Sequence, residues 1–540
     1  MFTLAFIIGI FSYLIFAAGV FGLLYKNVIW FSTIMYALVV IYVLKDKVRI
    51  KNLKTTIDGY IIFFKTNKIL GLSFILLSTQ LLVNLIGVLG PEVSFDALWY
   101  HLELPKLFIQ NHSVFHVPGN LLYYSDMPKL TEMLYAFALM LNGDLLAKLI
   151  HFLFGVLTLL AIYKVSRKFL PKDYSILAAV AFYSNLVVGW ESITAYVDLS
   201  RTFFELLAFL GFIEWISKRK AKFILISGIM LGFAIATKII SASSLIIFAF
   251  LFSYDAYLQK ENIKIFIKRF SFFLIACSLP VLPWFLFSFI NTGNPVYPFF
   301  TTNFVNADNS FSFPNITHIF LSLYNFFLRS NDPISPIYLI VLPLIIIWFK
   351  KYDYKLRFLI IYSLISLSLW YLALQNIGSR FILPYLPVFS ILAVCSIQKV
   401  NVIWLRRFLI GIIFFLSFVS VGYRTIANAK YIPVILGRET RGEFLGKHLN
   451  FSFGDFYDTE GYFKKNIRAS NKVLLFGFHN LYYVDFPFID SSWIKSGDRF
   501  NYIAVQNSNI PKRFSNWKEI YYNKLTRVRL YTLGRKMWAY

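Results

Sequence analysis

The sequence ILGLSFILLSTQLLVNLIGVLG, residues 69–90, runs for 22 positions without a charged side chain. It continues directly into PEVSFDALWYHLELPK, residues 91–106, which carries acidic residues, a His and a Lys. An apolar run of about 20 residues is long enough to cross a bilayer as a helix. Titratable side chains at a membrane edge are unfavourable and usually have a function. The stretch therefore predicts a membrane helix followed by a functional loop.

Similar apolar runs recur along the chain, which is 58% apolar and only 15% charged, with a mean hydropathy of +0.64. Soluble domains contain about a quarter charged residues. We predict an all-α polytopic membrane bundle over residues 1–423. It has about 13 transmembrane helices, at residues 2–25, 28–44, 69–90, 145–163, 174–193, 199–216, 223–238, 239–257, 270–290, 337–349, 358–374, 381–398 and 408–423.

Basic residues divide the predicted loops into two sets. One set carries 26 Lys and Arg and the other carries 6, and such an asymmetry indicates that the richer set is cytoplasmic. The richer set is 45–68, 164–172, 217–222, 258–269, 350–357 and 399–407. The loops 91–130, 291–336 and 375–380 then face outward, and we expect a multi-pass protein of the inner or plasma membrane. The net charge of +26 is scattered over short loops, so it does not indicate nucleic-acid binding.

Two stretches of unusual length need a separate interpretation. Leu130 to Leu141 is too short for a span, and we predict a helix lying at the outer interface. Lys238 divides residues 223–257, because one helix of that length would be about 52 Å long. Cys277 and Cys395 both lie in apolar runs and are interpreted as packing residues.

Residues 424–540 are much more polar than the preceding chain. An amphipathic helix is predicted at Ile435 to Leu449, and strands at Lys472 to Phe476, Tyr502 to Gln506 and Arg527 to Leu533. We predict a small extracytoplasmic α/β domain without a catalytic motif. It could position an acceptor or serve as a structural lid.

Seven polar residues on the predicted outer side are candidates for a site: Glu92, Asp96, His101, Lys106, Asp198, Lys238 and Arg380. Each has an innocent interpretation when taken alone. Asp96 and Asp198 could cap helices, Lys238 and Arg380 could extend to lipid headgroups, and His101 could be a packed ring. Their placement on one face of the membrane favours a joint role.

The chemistry that fits these side chains is a reaction on a phosphate-linked lipid. Lys and Arg bind phosphate, and a nearby carboxylate can take a proton from an incoming hydroxyl. Positive side chains also stabilise the charge that builds on a departing phosphate. The pattern indicates glycosyl transfer from a lipid-linked donor, in which one base is sufficient.

Five stretches resemble the GT-C glycosyltransferases, the integral-membrane class of the protein O-mannosyltransferases, the aminoarabinose transferase of lipid A and the bacterial RgtA/B/C/D-type enzymes. They are FDALWYHLELPK (95–106), Tyr196 to Asp198, GIMLGFAIATK (228–238), TGNPVYPF (292–299) and SRFILPYLP (379–387). The resemblance covers roughly residues 65–400. The chain differs from the common pattern in its two leading spans, and in a single Asp where several relatives have an adjacent acidic pair.

The resemblance implies an inverting transferase that uses a polyprenyl-phosphate sugar. Asp96 matches the acidic residue of the first external loop and is the predicted general base. Asp198 is predicted to orient the sugar or the acceptor. Lys238 and Arg380 are predicted to bind the lipid phosphate, with Glu92, His101 and Lys106 as further substrate-binding residues. No metal site is predicted, although the resemblance leaves a divalent cation open as a cofactor.

Several functional alternatives remain open from the sequence. The transferred sugar could be a hexose or a pentose, and the acceptor a glycan, a glycolipid or a protein of the cell envelope. A transporter or lipid flippase would place polar groups near the membrane midplane and often contains repeated halves, neither of which is visible here. A glycan polymerase or ligase of another membrane fold would also use lipid-linked sugars. A non-catalytic scaffold is the remaining alternative.

Overall fold

The computed structural model describes residues 1–45, 67–301, 321, 324, 334–347, 352–374, 378–534 and 537–540. Most of the predicted loop 45–68 lies outside the described residues, as do most of 303–336, residues 375–377 and the end of the predicted span 337–349. The helices and strands below belong to the described ranges.

The amino-terminal four-fifths of the chain is a bundle of α-helices. Its helices are α1 (Phe2–Val20), α2 (Lys26–Leu44), α3 (Lys68–Leu89), α4 (Glu103–Gln110), α5 (Leu130–Ser166), α6 (Lys172–Tyr183), α7 (Leu186–Glu191), α8 (Asp198–Lys218), α9 (Ala221–Thr237), α10 (Ser244–Leu258), α11 (Ile263–Thr292), α12 (Ile337–Ile347), α13 (Tyr354–Leu369), α14 (Leu386–Gln398) and α15 (Ile403–Ala429). Short 3-10 or π-helical turns lie at Ala97–His101, Tyr123–Asp126, Ile239–Ser243, Trp370–Leu374 and Ser379–Tyr385.

The predicted polytopic α-helical fold is confirmed. Nine helical segments within the described ranges are long and apolar enough to cross a membrane. Shorter or more polar helices occupy the other predicted positions, so the number 13 is not confirmed. Helix α8 is long enough to cross a membrane, but it carries too many charged residues to count among these nine. A helix buried inside the bundle can carry such charges, whereas a helix that faces lipid cannot.

One predicted span is wrong, and one predicted division of a helix agrees with the structure. The predicted span 174–193 is two helices, α6 and α7, because Asn185 interrupts it. The Asn185 side-chain amide donates to the carbonyl of Phe182 at 2.7 Å, and its oxygen accepts from the backbone N–H of Ser335 at 2.7 Å. Within α5 the backbone at Asn142 and Gly143 is not helical, so the predicted helix at residues 130–141 and the span after it are separate helical segments joined at a kink. Gly143 has φ +67°, a conformation that favours glycine.

Glycine spacing explains the close packing of α9 against α11. Gly228 and Gly232 lie four residues apart on α9, facing α11. A Cβ atom on Gly228 would lie 2.6 Å from the Cβ of Ala276, and one on Gly232 would lie 2.3 Å from the carbonyl oxygen of Cys277. Small residues at this spacing let helix backbones approach closely in membranes. The predicted glycine-rich helix thus brings its carboxyl end, and Lys238, to a fixed position.

Helix α8 is the central element of the bundle, because nearly all of its residues are buried. The charges that it carries are paired inside the protein. The Arg201 guanidinium contacts the Glu205 carboxylate at 2.8 Å, and Glu205 also accepts from the hydroxyl of Ser244 at 2.9 Å. A buried charge is tolerated only when it is paired in this way.

The carboxyl-terminal part is a small α/β unit, as predicted. It contains α16 (Ile432–Ile435), α17 (Arg441–His448), α18 (Tyr462–Asn466), β1 (Val473–Phe476), β2 (Phe488–Asp490), β3 (Arg499–Phe500), β4 (Tyr502–Gln506), β5 (Lys518–Tyr522), β6 (Val528–Thr532) and β7 (Trp538–Ala539). The main sheet has the order β2-β1-β4-β6-β5, in which β2, β1 and β4 are parallel and the β4–β6 and β5–β6 pairs are antiparallel. The smaller sheet pairs β3 with β7.

The predicted helix at Ile435 to Leu449 is shorter than expected. It begins at Arg441, because Thr440 and Glu443 form a reciprocal capping box that starts a new helix there. Four further strands, β2, β3, β5 and β7, were not predicted. Strands β2, β3 and β7 have only two or three residues each, and β5 is mostly exposed. The last helix of the bundle, α15, extends to Ala429.

The carboxyl-terminal unit contacts the end of the bundle that carries the loop 91–130. The Tyr483 hydroxyl donates to the carbonyl of Glu92 at 2.7 Å. The Arg441 guanidinium forms an ion pair with Asp144 at 2.7 Å. The structure therefore places the loop of residues 91–130 between the membrane helices and the carboxyl-terminal sheet.

Candidate active site

A cavity of about 350 Å³ lies at this end of the bundle. Six separate parts of the chain form it: residues 96–101, residues 123–132, Val197 just before α8, residues 237–240 at the end of α9, Phe299, and residues 380–381. Its polar lining residues are Asp96, Tyr100, His101, Tyr123, Tyr124, Lys129, Glu132, Thr237, Lys238 and Arg380. Residues more than 280 positions apart in sequence thus meet in one cavity.

The first ion pair of the cavity joins Asp96 to Arg380, with 2.5 Å between Oδ2 and the guanidinium nitrogen. The hydroxyl of Tyr100 lies 3.4 Å from the same carboxylate oxygen. The Asp96 side chain makes no capping hydrogen bond to the turn that follows it, so a role as a simple helix cap does not explain it. The Arg380 guanidinium also lies 5.1 Å from the ring centroid of Tyr196, a favourable cation–π distance.

The second ion pair joins Asp198 to Lys238. The Lys238 ammonium donates to both carboxylate oxygens, at 2.9 and 2.8 Å. Asp198 is the first residue of α8, and Lys238 binds both oxygens of its side chain. Lys238 lies at the break between α9 and the following 3-10 turn, in an extended conformation that directs it toward α8.

The side chains of the two ion pairs differ in how far they are exposed to the cavity. The side chains of Lys238 and Arg380 are 15% and 20% exposed, whereas that of Asp198 is 0% exposed. A ligand in the cavity can therefore contact both cations and Asp96, but not the Asp198 carboxylate. The Asp198 carboxylate holds the Lys238 ammonium in place.

His101 lies deeper in the lining, where its Nδ1 is 2.9 Å from Oε1 of Glu132. Both side chains are almost fully buried. Glu132 was not among the predicted site residues. It lies in the apolar segment Leu130 to Leu141, and nothing in the local pattern distinguishes it from a residue on the polar face of an interface helix.

Glu92 and Lys106 do not line the cavity, contrary to their predicted role in substrate binding. The carboxylate of Glu92 accepts from the backbone N–H groups of Val93, Ser94 and Ala195, at 2.9, 2.8 and 2.6 Å. It fixes the start of the loop to the residues just before α8. Because all of these bonds are to backbone, Glu92 fixes the position of the loop, and it is not among the residues that line the cavity.

Lys106 has a comparable structural role. Its ammonium donates to the carbonyl oxygens of Tyr482 and Val484, both at 2.7 Å, and lies 3.5 Å from the carboxylate of Glu103. It attaches the carboxyl-terminal unit to helix α4. The sequence could not indicate this, because the acceptors are main-chain atoms some 375 residues away.

Lys129 is a further cation of the lining that the sequence prediction missed. Its ammonium donates to the carbonyl oxygens of Met127, at 2.9 Å, and Tyr124. Burial lowers the pKa of Lys129 to about 8. The side chain thus stabilises the turn before α5 and adds positive charge to the cavity.

The predicted turn at residues 292–299 completes the cavity wall. The Asn294 side chain accepts from the backbone N–H of Val296 at 3.0 Å and donates to the carbonyl of Phe299 at 2.7 Å. This compact turn places Phe299 in the lining. Within the described ranges, no group of three or more His, Cys, Asp or Glu side chains is arranged to hold a metal ion.

Comparison with known proteins supports this description. A family model described as dolichyl-phosphate-mannose-protein mannosyltransferase matches residues 127–284, from α5 into α11. Two solved structures are similar over almost their whole length: ArnT from Cupriavidus metallidurans bound to undecaprenyl phosphate, and the same protein in the apo state. Each has a TM-score of 0.59 and 10% sequence identity, and covers 88% of this chain and 98% of the ArnT chain. No curated protein sequence matches.

The protein is therefore an integral-membrane helical bundle with an interfacial cavity that contains paired carboxylates and cations. Its fold is that of the GT-C membrane glycosyltransferases, as the resemblance implied. Within that class the similarity of fold is to ArnT, and the similarity of sequence, over residues 127–284, is to the protein mannosyltransferases.

Proposed function

We propose that the protein is a glycosyltransferase that moves a sugar from a polyprenyl-phosphate donor to a hydroxyl group of an envelope acceptor. The observation that carries this proposal is the convergence of Asp96, Lys238 and Arg380 on one cavity at the end of a membrane bundle. The similar ArnT structure was solved with undecaprenyl phosphate, a ligand of the proposed donor class.

The donor phosphate is assigned to the two cations. Lys238 supplies an ammonium and Arg380 a planar guanidinium, the side chains that best bind phosphate oxygens. When the bond between the anomeric carbon and the phosphate oxygen breaks, that oxygen takes the electron pair and gains negative charge. The two cations stabilise this charge.

Asp96 is assigned as the general base. It takes the proton from the acceptor hydroxyl while the hydroxyl oxygen forms the new bond to the anomeric carbon. Because Arg380 is in contact with Asp96, a phosphate bound to Arg380 lies beside the same carboxylate. A single base and a direct displacement would invert the configuration at the anomeric carbon. The sugar, hexose or pentose, is not specified by these groups.

The remaining parts of the proposal concern location. The loops on the cavity side contain few basic residues, which supports an outward-facing cavity and an extracytoplasmic carboxyl-terminal unit in the plasma or inner membrane. That unit covers the loop carrying Asp96, and a position so close to the cavity suits a role in acceptor binding.

The test is incubation of the purified protein with a labelled polyprenyl-phosphate sugar and an envelope extract. We expect label to leave the lipid and to appear in a larger glycan, glycolipid or protein product. Movement of intact labelled lipid across a vesicle membrane, without cleavage of the sugar–phosphate bond, would instead identify a flippase and reject the proposal.

A further inference from the structure

A second cavity, of about 340 Å³, lies at the opposite end of the bundle. Helix α14 connects the two ends, because it begins next to the turn that carries Arg380 and finishes at Gln398 in the second cavity. Thirteen residues of α-helix span about 20 Å. The second cavity is therefore separate from the candidate active site.

The second cavity is formed where three loops meet that the sequence predicts to be cytoplasmic. Residues 164–172 contribute Phe169, residues 350–357 contribute Asp353, and residues 399–407 contribute Lys399 and Arg406. The positions of these loops in the structure agree with their assignment to one side of the membrane.

The charge of this cavity is positive. Lys399 and Arg406 supply two cations against the single carboxylate of Asp353. One oxygen of that carboxylate, Oδ1, already accepts a hydrogen bond from the backbone N–H of Leu356 at 2.8 Å and caps α13. Among the residues that the structure describes, neither cation has a carboxylate oxygen within 4.0 Å. Two cations line this cavity with a single carboxylate that already caps a helix, and this excess of positive charge favours an anion.

The same cavity adjoins the surface of the bundle that faces lipid. Helix α15 begins beside Arg406, and its neighbouring side chains Ile403, Trp404 and Phe408 are each more than half exposed. Exposed apolar side chains on a membrane helix contact acyl chains, and Trp is typical of the interface between the acyl and headgroup regions. An amphipathic ligand, with an anionic head and apolar tails, matches both halves of this surface.

We infer that this cavity binds the headgroup of an anionic phospholipid of the surrounding membrane. Lys399 and Arg406 contact the lipid phosphate, and the first turns of α15 contact the acyl chains. Basic pockets between membrane helices bind anionic headgroups in this way. The site is independent of glycosyl transfer, since it uses no residue of the first cavity.

The test measures the thermal unfolding of the full chain in detergent while phosphatidylglycerol is added. Each cation near an anionic lipid contributes about 1 kcal/mol, or roughly a fivefold change in affinity. We expect phosphatidylglycerol to raise Tm, and the concentration that gives half of the effect to increase roughly 25-fold in the double variant Lys399→Gln/Arg406→Gln. Arg407→Gln is the matched control, because Arg407 is exposed and does not line the cavity; its response should equal that of the wild type.

The outcomes separate the possible ligands. An equal response to zwitterionic phosphatidylcholine would overturn the inference, because binding would then not depend on the net negative charge of the headgroup. An equal response to inorganic phosphate alone would assign the cavity to a free anion and reject the lipid. If the double variant does not fold, each single variant should still weaken the response roughly fivefold, and full responses in both would reject the site.

Discussion

At the scale of single residues, the four charged side chains of the two ion pairs divide into two roles. Asp96, Arg380 and Lys238 are accessible to a ligand, whereas Asp198 is buried behind Lys238. In each pair the carboxylate holds its cation in one position before a ligand binds. Pre-organised charges are more effective than mobile ones, because they need not reorient during the reaction.

Replacing Asp96 by Asn tests the general base. The amide keeps the shape of the side chain but cannot accept a proton, so we expect transfer to fall by about 10²–10⁴-fold. Binding of the donor should remain, because both cations are unchanged. The measurement is sugar transfer from the labelled lipid together with direct binding of that lipid.

The control for this variant is Asp173→Asn, at the opposite end of the bundle, where Asp173 is 3.5 Å from the side-chain amide of Asn67. It should transfer sugar at the wild-type rate. Normal turnover by Asp96→Asn would exclude Asp96 as the base.

Replacing Lys238 by Met should reduce two separate quantities. Donor affinity should fall about 10- to 100-fold, because a charge-assisted bond to phosphate is lost. Stability should fall by about 3–5 kcal/mol, because the Asp198 carboxylate is left buried without its partner.

The double variant Asp198→Asn/Lys238→Met separates these effects. Removing both charges should restore much of the Tm but none of the donor affinity. Recovery of donor binding in the double variant would show that Lys238 acts only as a structural partner of Asp198.

The sequence predicted the four charged residues of the two ion pairs, but not the contacts between them. Acidic and basic residues at the ends of apolar runs are visible as local exceptions to the membrane pattern. Glu92 and Lys106 have the same local signature, yet their bonds are to distant backbone groups. Only the folded chain distinguishes a side chain that faces the cavity from one that fastens a loop.

At the scale of elements, the position of Lys238 depends on how closely α9 approaches α11. Gly232→Ala tests this packing. Its Cβ would lie 2.3 Å from the carbonyl oxygen of Cys277, so the helices must separate. We expect a lower Tm, by several degrees, together with weaker donor binding.

Gly411→Ala is a suitable control, since Gly411 lies within α15 and a Cβ there would contact nothing within 4 Å. Because alanine favours helix more than glycine, Tm should stay constant or rise slightly. A loss of stability in Gly411→Ala as large as in Gly232→Ala would contradict the close-packing explanation.

At the scale of the whole molecule, the attachment of the carboxyl-terminal unit contains a buried acid. Glu103 lies beside Lys106, under the segment of Leu481 to Val484 that Lys106 binds. Burial raises the pKa of Glu103 from 4.5 to about 7, although Lys106 lowers it in part. The folded protein therefore holds a proton on Glu103 that the unfolded chain has released between these two values.

The sign of the resulting pH dependence follows from the linkage of proton binding to folding. Where the folded state binds more protons, stability falls as pH rises. We expect Glu103 to lower the free energy of unfolding by roughly 3 kcal/mol at most between pH 4.5 and pH 7, in addition to the effects of other groups. The measurement is the corresponding decrease in Tm. In Glu103→Gln this contribution should be absent, and identical pH profiles for both proteins would reject it.

The sequence alone determined the class of the fold, because the bilayer imposes a length and an apolar composition on every spanning helix that can be read locally. It also predicted that Asp96, Lys238 and Arg380 lie at one end of the bundle, since each follows or precedes an apolar run whose ends can be assigned to a side of the membrane. Tertiary structure decided where helices break, as at Asn185, and which charges pair, as Asp96 does with Arg380. Those features depend on contacts between residues more than a hundred positions apart, and such contacts exist only once the helices have packed.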